Sequence, residues 1–302
     1  MIVLENKSCE IWAVGGGKGG IGKSFIISSI GITLARQGKK VILVDADLGG
    51  ANLHTFLGLG RPKVTLTDFF DKKSTLPELI TETGIPNLGL LTGALNSLSI
   101  DSIKHAQKRK LFHHIKDLDA DFVLIDLGAG THFNTLDSFL LADKMVAVIV
   151  PEMISIENMY FFLKNVFFRK LMAALAEEGL KDMVTTVWNN RHEHSIENRS
   201  QLIKFLQGES EQCAAVINRE LAQFTIHLLL NKSRSGQDIT VGNAAKSVCK
   251  KYFDFDARYI GHVDYDEMVS NSINKRQPYL LSYPTSKSAR DIEKIVKVLL
   301  HG

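Results

Sequence analysis

Two spacings of apolar residues alternate along the chain. Short unbroken runs occupy residues 11–15, 41–45, 88–91, 122–126, 145–150, 225–230 and 258–263. They are aliphatic or β-branched and continuous, as strands covered on both faces must be, because neither side of the pleat meets water. At 23–37, 102–116, 156–178 and 286–300 apolar residues return every three or four positions, the period of a helix with one buried face. Strands that alternate with helices make βαβ units. The pattern therefore predicts an α/β protein with a doubly wound, mostly parallel sheet flanked by helices.

The alternation stops between 164 and 222, where helical patterns surround a polar break at 189–198 and no core strand is visible. This stretch predicts a helical insertion packed on the edge of the nucleotide domain. Phe161, Phe162, Phe167 and Phe168 would bury one face, and Glu177, Glu178, Lys181 and Asp182 would stay in water. Covering the sheet is the plain reading of these helices; docking an unknown protein partner is the sharper one. No repeat, low-complexity tract or Pro/Ser linker interrupts residues 1–302, which reads as a single domain.

Composition narrows the class. The chain has 302 residues, 45% of them hydrophobic, enough to bury a sizeable core. Its 36 Lys and Arg against 33 Asp and Glu leave a net charge of +3, too balanced to announce a nucleic-acid binder or a lipid-seeking surface. Cys9, Cys213 and Cys249 are far apart and form no CxxC pair, so the sequence offers neither a disulfide framework nor a zinc or iron–sulfur cage. No apolar run approaches the ~20 residues a bilayer needs, and residues 1–10 lack a signal-peptide core. A reducing cytoplasm is the expected location.

The chemistry concentrates at strand ends. The first strand leads into Gly15-Gly16-Gly17-Lys18-Gly19-Gly20-Ile21-Gly22-Lys23-Ser24, which satisfies G-x-x-x-x-G-K-[ST] from Gly17 to Ser24 between a predicted strand and a predicted helix. In such a loop successive backbone N–H groups curl around phosphate oxygens and the helix presents its positive end to them. Gly17, Gly19, Gly20, Ile21, Gly22, Lys23, Ser24 and Phe25 are the candidate nucleotide-binding residues. Lys23 would reach the β- and γ-phosphates of ATP, and Ser24 would ligate Mg²⁺. The apolar strand 122–126 ends in Asp126, a second Mg²⁺ ligand in the Walker B arrangement, followed by Leu127-Gly128-Ala129-Gly130. Asp45 and Asp47 lie at the carboxyl end of another strand, where side chains point into the ligand crevice.

Lys18 sharpens the picture, since an ordinary P-loop does not require it. The run from Lys18 to Ser24 resembles the deviant Walker A of the MinD/ParA family of ATPases. That resemblance implies that Lys18 crosses a dimer interface to touch the partner's nucleotide, and hence an ATP-dependent homodimer. Val44-Asp45-Ala46-Asp47 and Asn52 are similar to the family's switch I. This makes Asp47 the residue that positions or deprotonates the attacking water, and places it beside the metal with Ser24 and Asp126. Leu230-Asn231-Lys232 resembles the strand end whose asparagine reads adenine. Val150-Pro151-Glu152, Ile260-Gly261-His262-Val263-Asp264-Tyr265-Asp266 and Lys275-Arg276-Gln277-Pro278-Tyr279 extend the likeness, although the family usually carries a proline near Asp264. Lys18, Lys23 and Asp47 are thus the catalytic candidates.

The resemblance is nearest to the MinD-like, flagellar-placement branch. It implies a Mg²⁺-dependent ATPase acting as a dimer/monomer switch that positions a cellular structure. The absence of CxxC separates the chain from the iron–sulfur carriers and the tail-anchored-protein targeting ATPases, and no cysteine is suitably placed for the interface cluster of the nitrogenase iron-protein branch. Lipid-binding relatives end in a basic amphipathic helix, whereas 286–300 reads as the fold's own last helix, so membrane binding by that route is not expected. A ParA-like DNA-partition ATPase is one alternative, with the basic stretch Lys104-His105-Ala106-Gln107-Lys108-Arg109-Lys110 as its lesser support. A nucleotide-gated scaffold with little hydrolysis is another. His192-Glu193-His194 offers metal-ligating side chains without the i,i+4 spacing of a helical zinc site.

Overall fold

The computed structural model describes residues 9–47, 50–93, 105–253, 255 and 257–301. Strand β1 (Glu10–Gly15) runs through the glycine-rich loop into α1 (Lys23–Arg36), which returns to β2 (Val41–Asp45). Short helices α2 (Leu53–Phe56) and α3 (Leu66–Phe70) and a 3₁₀ turn (Pro77–Leu79) lead to β3 (Thr81–Glu82) and β4 (Leu88–Leu91). Next come α4 (His105–Lys116), β5 (Phe122–Asp126), α5 (Phe133–Leu140) and β6 (Lys144–Ile149). Four helices then follow without a strand: α6 (Met153–Glu177), α7 (Lys181–Asn189), α8 (Arg199–Glu209) and α9 (Glu211–Gln223). After β7 (Ile226–Ser233), α10 (Gly236–Phe253) and β8 (Ala257–Asp264) come α11 (Glu267–Asn274), α12 (Tyr279–Ser282) and α13 (Lys287–His301).

The eight strands form one sheet in the order β3-β4-β2-β5-β1-β6-β7-β8, parallel throughout except for β3. All seven strands expected from the sequence are present; β3, two residues long, is too short to leave a periodic signal. Part of the expected 102–116 helix, together with Lys104, lies outside the described residues. Register sets up the site. Val14 and Asp45 both pair with Asp126, so three adjacent strands end level.

Alternate residues of each strand feed two apolar clusters. Ile11, Ala13, Val123 and Ile125 face α4, α5, α6 and α10, whereas Trp12, Val14, Leu43 and Leu124 face α1 and α13. Both faces being covered is what makes the strands continuous rather than alternating. No helix among the described residues is long and apolar enough to cross a membrane.

The 164–222 stretch is helical and covers the sheet, which is its plain reading. Helix α6 lies against β6 and α5, α9 packs on α6, and α8 on α9. Leu171, Leu175, Val184, Ile196, Leu202, Leu206 and Ile217 belong to the same cluster as the strand residues. Burying each such side chain stabilises by about 1.5–3 kcal/mol, and this is why the helices lie over the sheet. Helix α8 starts at Asn198, whose side chain accepts from Ser200 N and Gln201 N while Gln201 reaches back to Asn198 N, a capping box inside the polar break. The aromatic stripe splits: Phe162 and Phe167 are buried and Phe168 lies under the Arg199 guanidinium, but Phe161 is 55% exposed. At positions 161 and 162 neighbouring side chains point about 100° apart, so only one can face the core. Glu177, Glu178, Lys181 and Asp182 are exposed, as expected.

Candidate nucleotide-binding site

A cavity of about 530 Å³ opens at the carboxyl ends of β1, β2, β5, β7 and β8, where ligands of open α/β sheets bind. At its phosphate end lie Gly19, Gly20, Gly22, Lys23, Ser24 and Phe25. Gly22 precedes α1 with φ of 92°, a left-handed conformation costly for other residues, and a side chain there would lie 2.3 Å from Asn231 Nδ2. Neither a capping side chain nor an acidic residue occupies the first turn of α1. Its first N–H groups and the positive end of its dipole are left for an anion. Gly17 instead packs against Asn158 of α6, and the Ile21 side chain is buried.

Lys23 is buried and donates to Lys18 O at 3.4 Å. Burial lowers its ammonium from the ordinary value, and the Asp126 and Asp47 carboxylates oppose that shift. Asp126 is buried at the end of β5. Burial, then the neighbouring Asp45, pushes its carboxyl up to about 8, while a hydrogen bond from Ser24 and the charge of Lys23 pull it down. Its Oδ1 has no hydrogen-bond partner. A buried carboxylate oxygen without a partner, with a serine hydroxyl on the same group, is the donor set a hard divalent cation needs, and such a cation would hold Asp126 ionised.

Asp45 has a different part. It is buried, its Oδ2 accepts from Leu53 N at 2.9 Å and its Oδ1 from Asp47 N at 3.2 Å, so it staples switch I. Burial raises its carboxyl to about 6. Asp47 is half-buried, its Oδ1 3.2 Å from where a side chain on Gly128 would begin. Switch I and the 127–130 loop after β5 therefore touch at the pocket. Asn52 is exposed at the rim and donates to Gly50 O. Lys18 points along the surface to Glu152, 3.1 Å away.

The base end is built from remote segments. Asn231, buried at the end of β7, donates to Ile21 O at 2.8 Å, and Lys232, with φ of 58°, donates to Gly20 O at 2.8 Å. Both residues expected to meet adenine thus grip the P-loop backbone while lining the cavity. Phe56, Tyr265, Asp266, Val269, Ser270 and Ile273 complete this end. Tyr265 and Asp266 lie in the segment that extends the resemblance, whereas sequence reasoning missed Phe56, Val269, Ser270 and Ile273; the Asp266 cap on α11 was a readable signal that a helix starts beside the pocket. Phe25 meets Tyr279 edge-on at 5.4 Å.

Two other candidates do not converge. His192, Glu193 and His194 are exposed after α7, form no metal-capable grouping, and His194 stacks on Phe205. In the basic stretch, Lys110 and His114 pack against Phe69.

Comparison with known proteins agrees with this geometry. The antiactivator FleN of Pseudomonas aeruginosa is 24% identical over 93% of this chain and 82% of its own length. The septum site-determining protein MinD of Synechocystis sp. is 37% identical over 49% of this chain, a match spanning 56% of that protein. The solved structure of MinD complexed with Mg-ADP from Pyrococcus horikoshii superposes with a TM-score of 0.65 at 22% identity, covering 96% of each chain, and shares the fold. A family model described as ParA, NUBPL iron-transfer P-loop NTPase, matches residues 8–175. With the P-loop, both switch aspartates and Asp126 gathered on one cavity, the chain belongs to the ParA family of P-loop NTPases.

Proposed function

We propose that the protein is a Mg²⁺-dependent ATPase whose ATP-bound dimer and ADP-bound monomer act as a positional switch. The observation that carries this reading is the convergence of Lys23, Ser24, Asp47 and Asp126 on one cavity, with the Asp126 Oδ1 unpartnered. Ser24 and Asp126, with Asp47 beside them, are the residues that would hold Mg²⁺, which would supply neutralisation of the charge that develops on the phosphoryl group. The loop N–H groups and Lys23 bind and orient the phosphates. Asp47, against Gly128, orients the attacking water and accepts its proton. Asn231 and Lys232 hold the loop from the base side.

Dimerisation is supported by the surroundings of Lys18. Beside it, the first turns of α6 expose Met153, Ile154 and, further on, Phe161 around Glu152, an apolar patch fit for a second copy. Helices of 164–222 share a core with the sheet, which favours one domain. The relative matched along most of the chain is named an antiactivator, which favours a protein partner as the readout of nucleotide state. The family description also names iron transfer; among the described residues Cys9, Cys213 and Cys249 join no metal-capable grouping.

ATP turnover measured alone, with DNA and with liposomes, together with sedimentation in ATP and Mg²⁺, tests the reading. Turnover with an ATP-dependent dimer is the expected result. Stimulation by DNA would favour the partition alternative, and binding without turnover the scaffold.

A further inference from the structure

We propose that His262, Asp264 and Asp291 form a binding site for a divalent transition-metal cation, of the zinc or manganese class, distinct from the nucleotide's Mg²⁺ site. One donor atom from each residue lies within 4.8 Å of the other two, the only such grouping among the described residues. His262 and Asp264 are two apart on β8 and so share a face, and α13 brings Asp291 to them. A bulge shapes this meeting. The β7–β8 register slips between Leu228 and Leu229, and Gly261, with φ of 131°, leaves room for Ile295 of α13 3.3 Å from where a side chain would begin.

The hydrogen bonding leaves one oxygen on each carboxylate for an ion. Asp264 gives Oδ2 to Lys287 and holds Oδ1 3.6 Å from His262 Nε2. Asp291 gives Oδ1 to Lys294 at 3.3 Å, while its Oδ2 is buried with no hydrogen-bond partner, in a residue only 4% exposed. Leaving a buried carboxylate oxygen unpaired is costly. A cation held by His262 Nε2, Asp264 Oδ1 and Asp291 Oδ2 removes that cost. The two lysines then serve as outer partners that fix the carboxylates, as such partners do in metal sites. Ligands of one tetrahedral ion with bonds of about 2.0–2.2 Å lie roughly 3.5 Å apart. The His262–Asp264 spacing fits already, and the Asp291 donor lies within 4.8 Å of both. One imidazole nitrogen with two carboxylates selects Zn²⁺ or Mn²⁺ over Mg²⁺ and Ca²⁺, which take oxygen ligands. Because Asp264 also lines the cavity, the ion would pin the base-side wall to α13.

The test uses the full chain, stripped with chelator and free of nucleotide. Zn²⁺ is titrated by calorimetry and Co²⁺ by its visible absorption, in wild type, His262→Gln, Asp291→Asn and a His192→Ala/His194→Ala control. Expected are one equivalent in wild type and control, affinity lowered roughly tenfold or more in the two site variants, and a Zn²⁺-induced rise in melting temperature that those variants lack. His262→Gln keeps both lysine pairs and carries the test if Asp291→Asn fails to fold. Unchanged stoichiometry and affinity in His262→Gln, loss of binding in the control, or no uptake of either metal by wild type would overturn the site.

Discussion

The phosphate end and the base end of the cavity are built by different means. At the phosphate end, ten consecutive residues and two level strand ends supply the backbone N–H groups and buried carboxylates that would bind phosphate and metal. At the base end, β7, β8, α2 and α11 each send one to three side chains from positions far apart in sequence. Yet the two ends are not independent. Asn231 and Lys232 belong to the base end and are bonded to carbonyls of the phosphate loop. The loop's shape is held from the opposite end of the cavity, so a change there should be felt at the phosphate end.

The largest break in the phosphate end is Asp47→Ala. Losing a group that orients water and takes its proton costs about 10²–10⁴-fold in rate. Turnover should fall by that factor with ATP affinity retained, trapping the ATP-bound dimer. Full turnover in the variant would move the role to another group such as Asn52. Lys23→Ala comes next. A charge-assisted hydrogen bond is worth about 1.5–3 kcal/mol, so ATP binding should weaken roughly 10–100-fold or vanish, with an unchanged circular dichroism spectrum. Equal affinity in calorimetry would sink the P-loop assignment.

Lys18→Ala separates the loop's own work from its work on a second copy. The Lys18–Glu152 pair is solvent-exposed, and exposed pairs contribute about 0–1 kcal/mol. The monomer's melting temperature and nucleotide affinity should therefore barely move, while ATP-dependent dimerisation is lost. A variant dimer as stable as wild type by sedimentation would refute the role given to Lys18.

The same contrast explains what was legible in the sequence. Contiguous signals were readable: the P-loop, the aspartates closing strands 41–45 and 122–126, and every parallel strand. What escaped depends on tertiary placement. No periodicity reveals that Glu152 meets Lys18, that Asn231 points at Ile21, or that α11 walls the pocket, because each pairing is made by topology. The 164–222 helices were readable as helices that cover the sheet, but the partners each one packs against were not. Ile196, Leu202 and Leu206 lie in the main apolar cluster, so deleting 189–208 should unfold the protein rather than cleanly remove a docking surface. Phe161 was misplaced because four phenylalanines within eight positions span more than one face of a helix.

The smallest expected effect tests the coupling itself. Asn231→Ala removes the donor to Ile21 O inside a buried loop. An acceptor left unpaired there costs about 1–3 kcal/mol, which corresponds to a melting temperature lower by a few degrees. If Asn231 acts by shaping the P-loop, affinity for inorganic tripolyphosphate should fall by the same few-fold factor as affinity for ATP, although tripolyphosphate has no base to read. If the amide serves adenine alone, ATP binding should weaken while tripolyphosphate binding stays at the wild-type level. Lys232→Met, which removes the bond to Gly20 O from an exposed side chain, should shift both ligands in the same direction by less. Parallel loss across the two ligands, graded from Asn231 to Lys232, is the signature of a phosphate site held in shape from its base end.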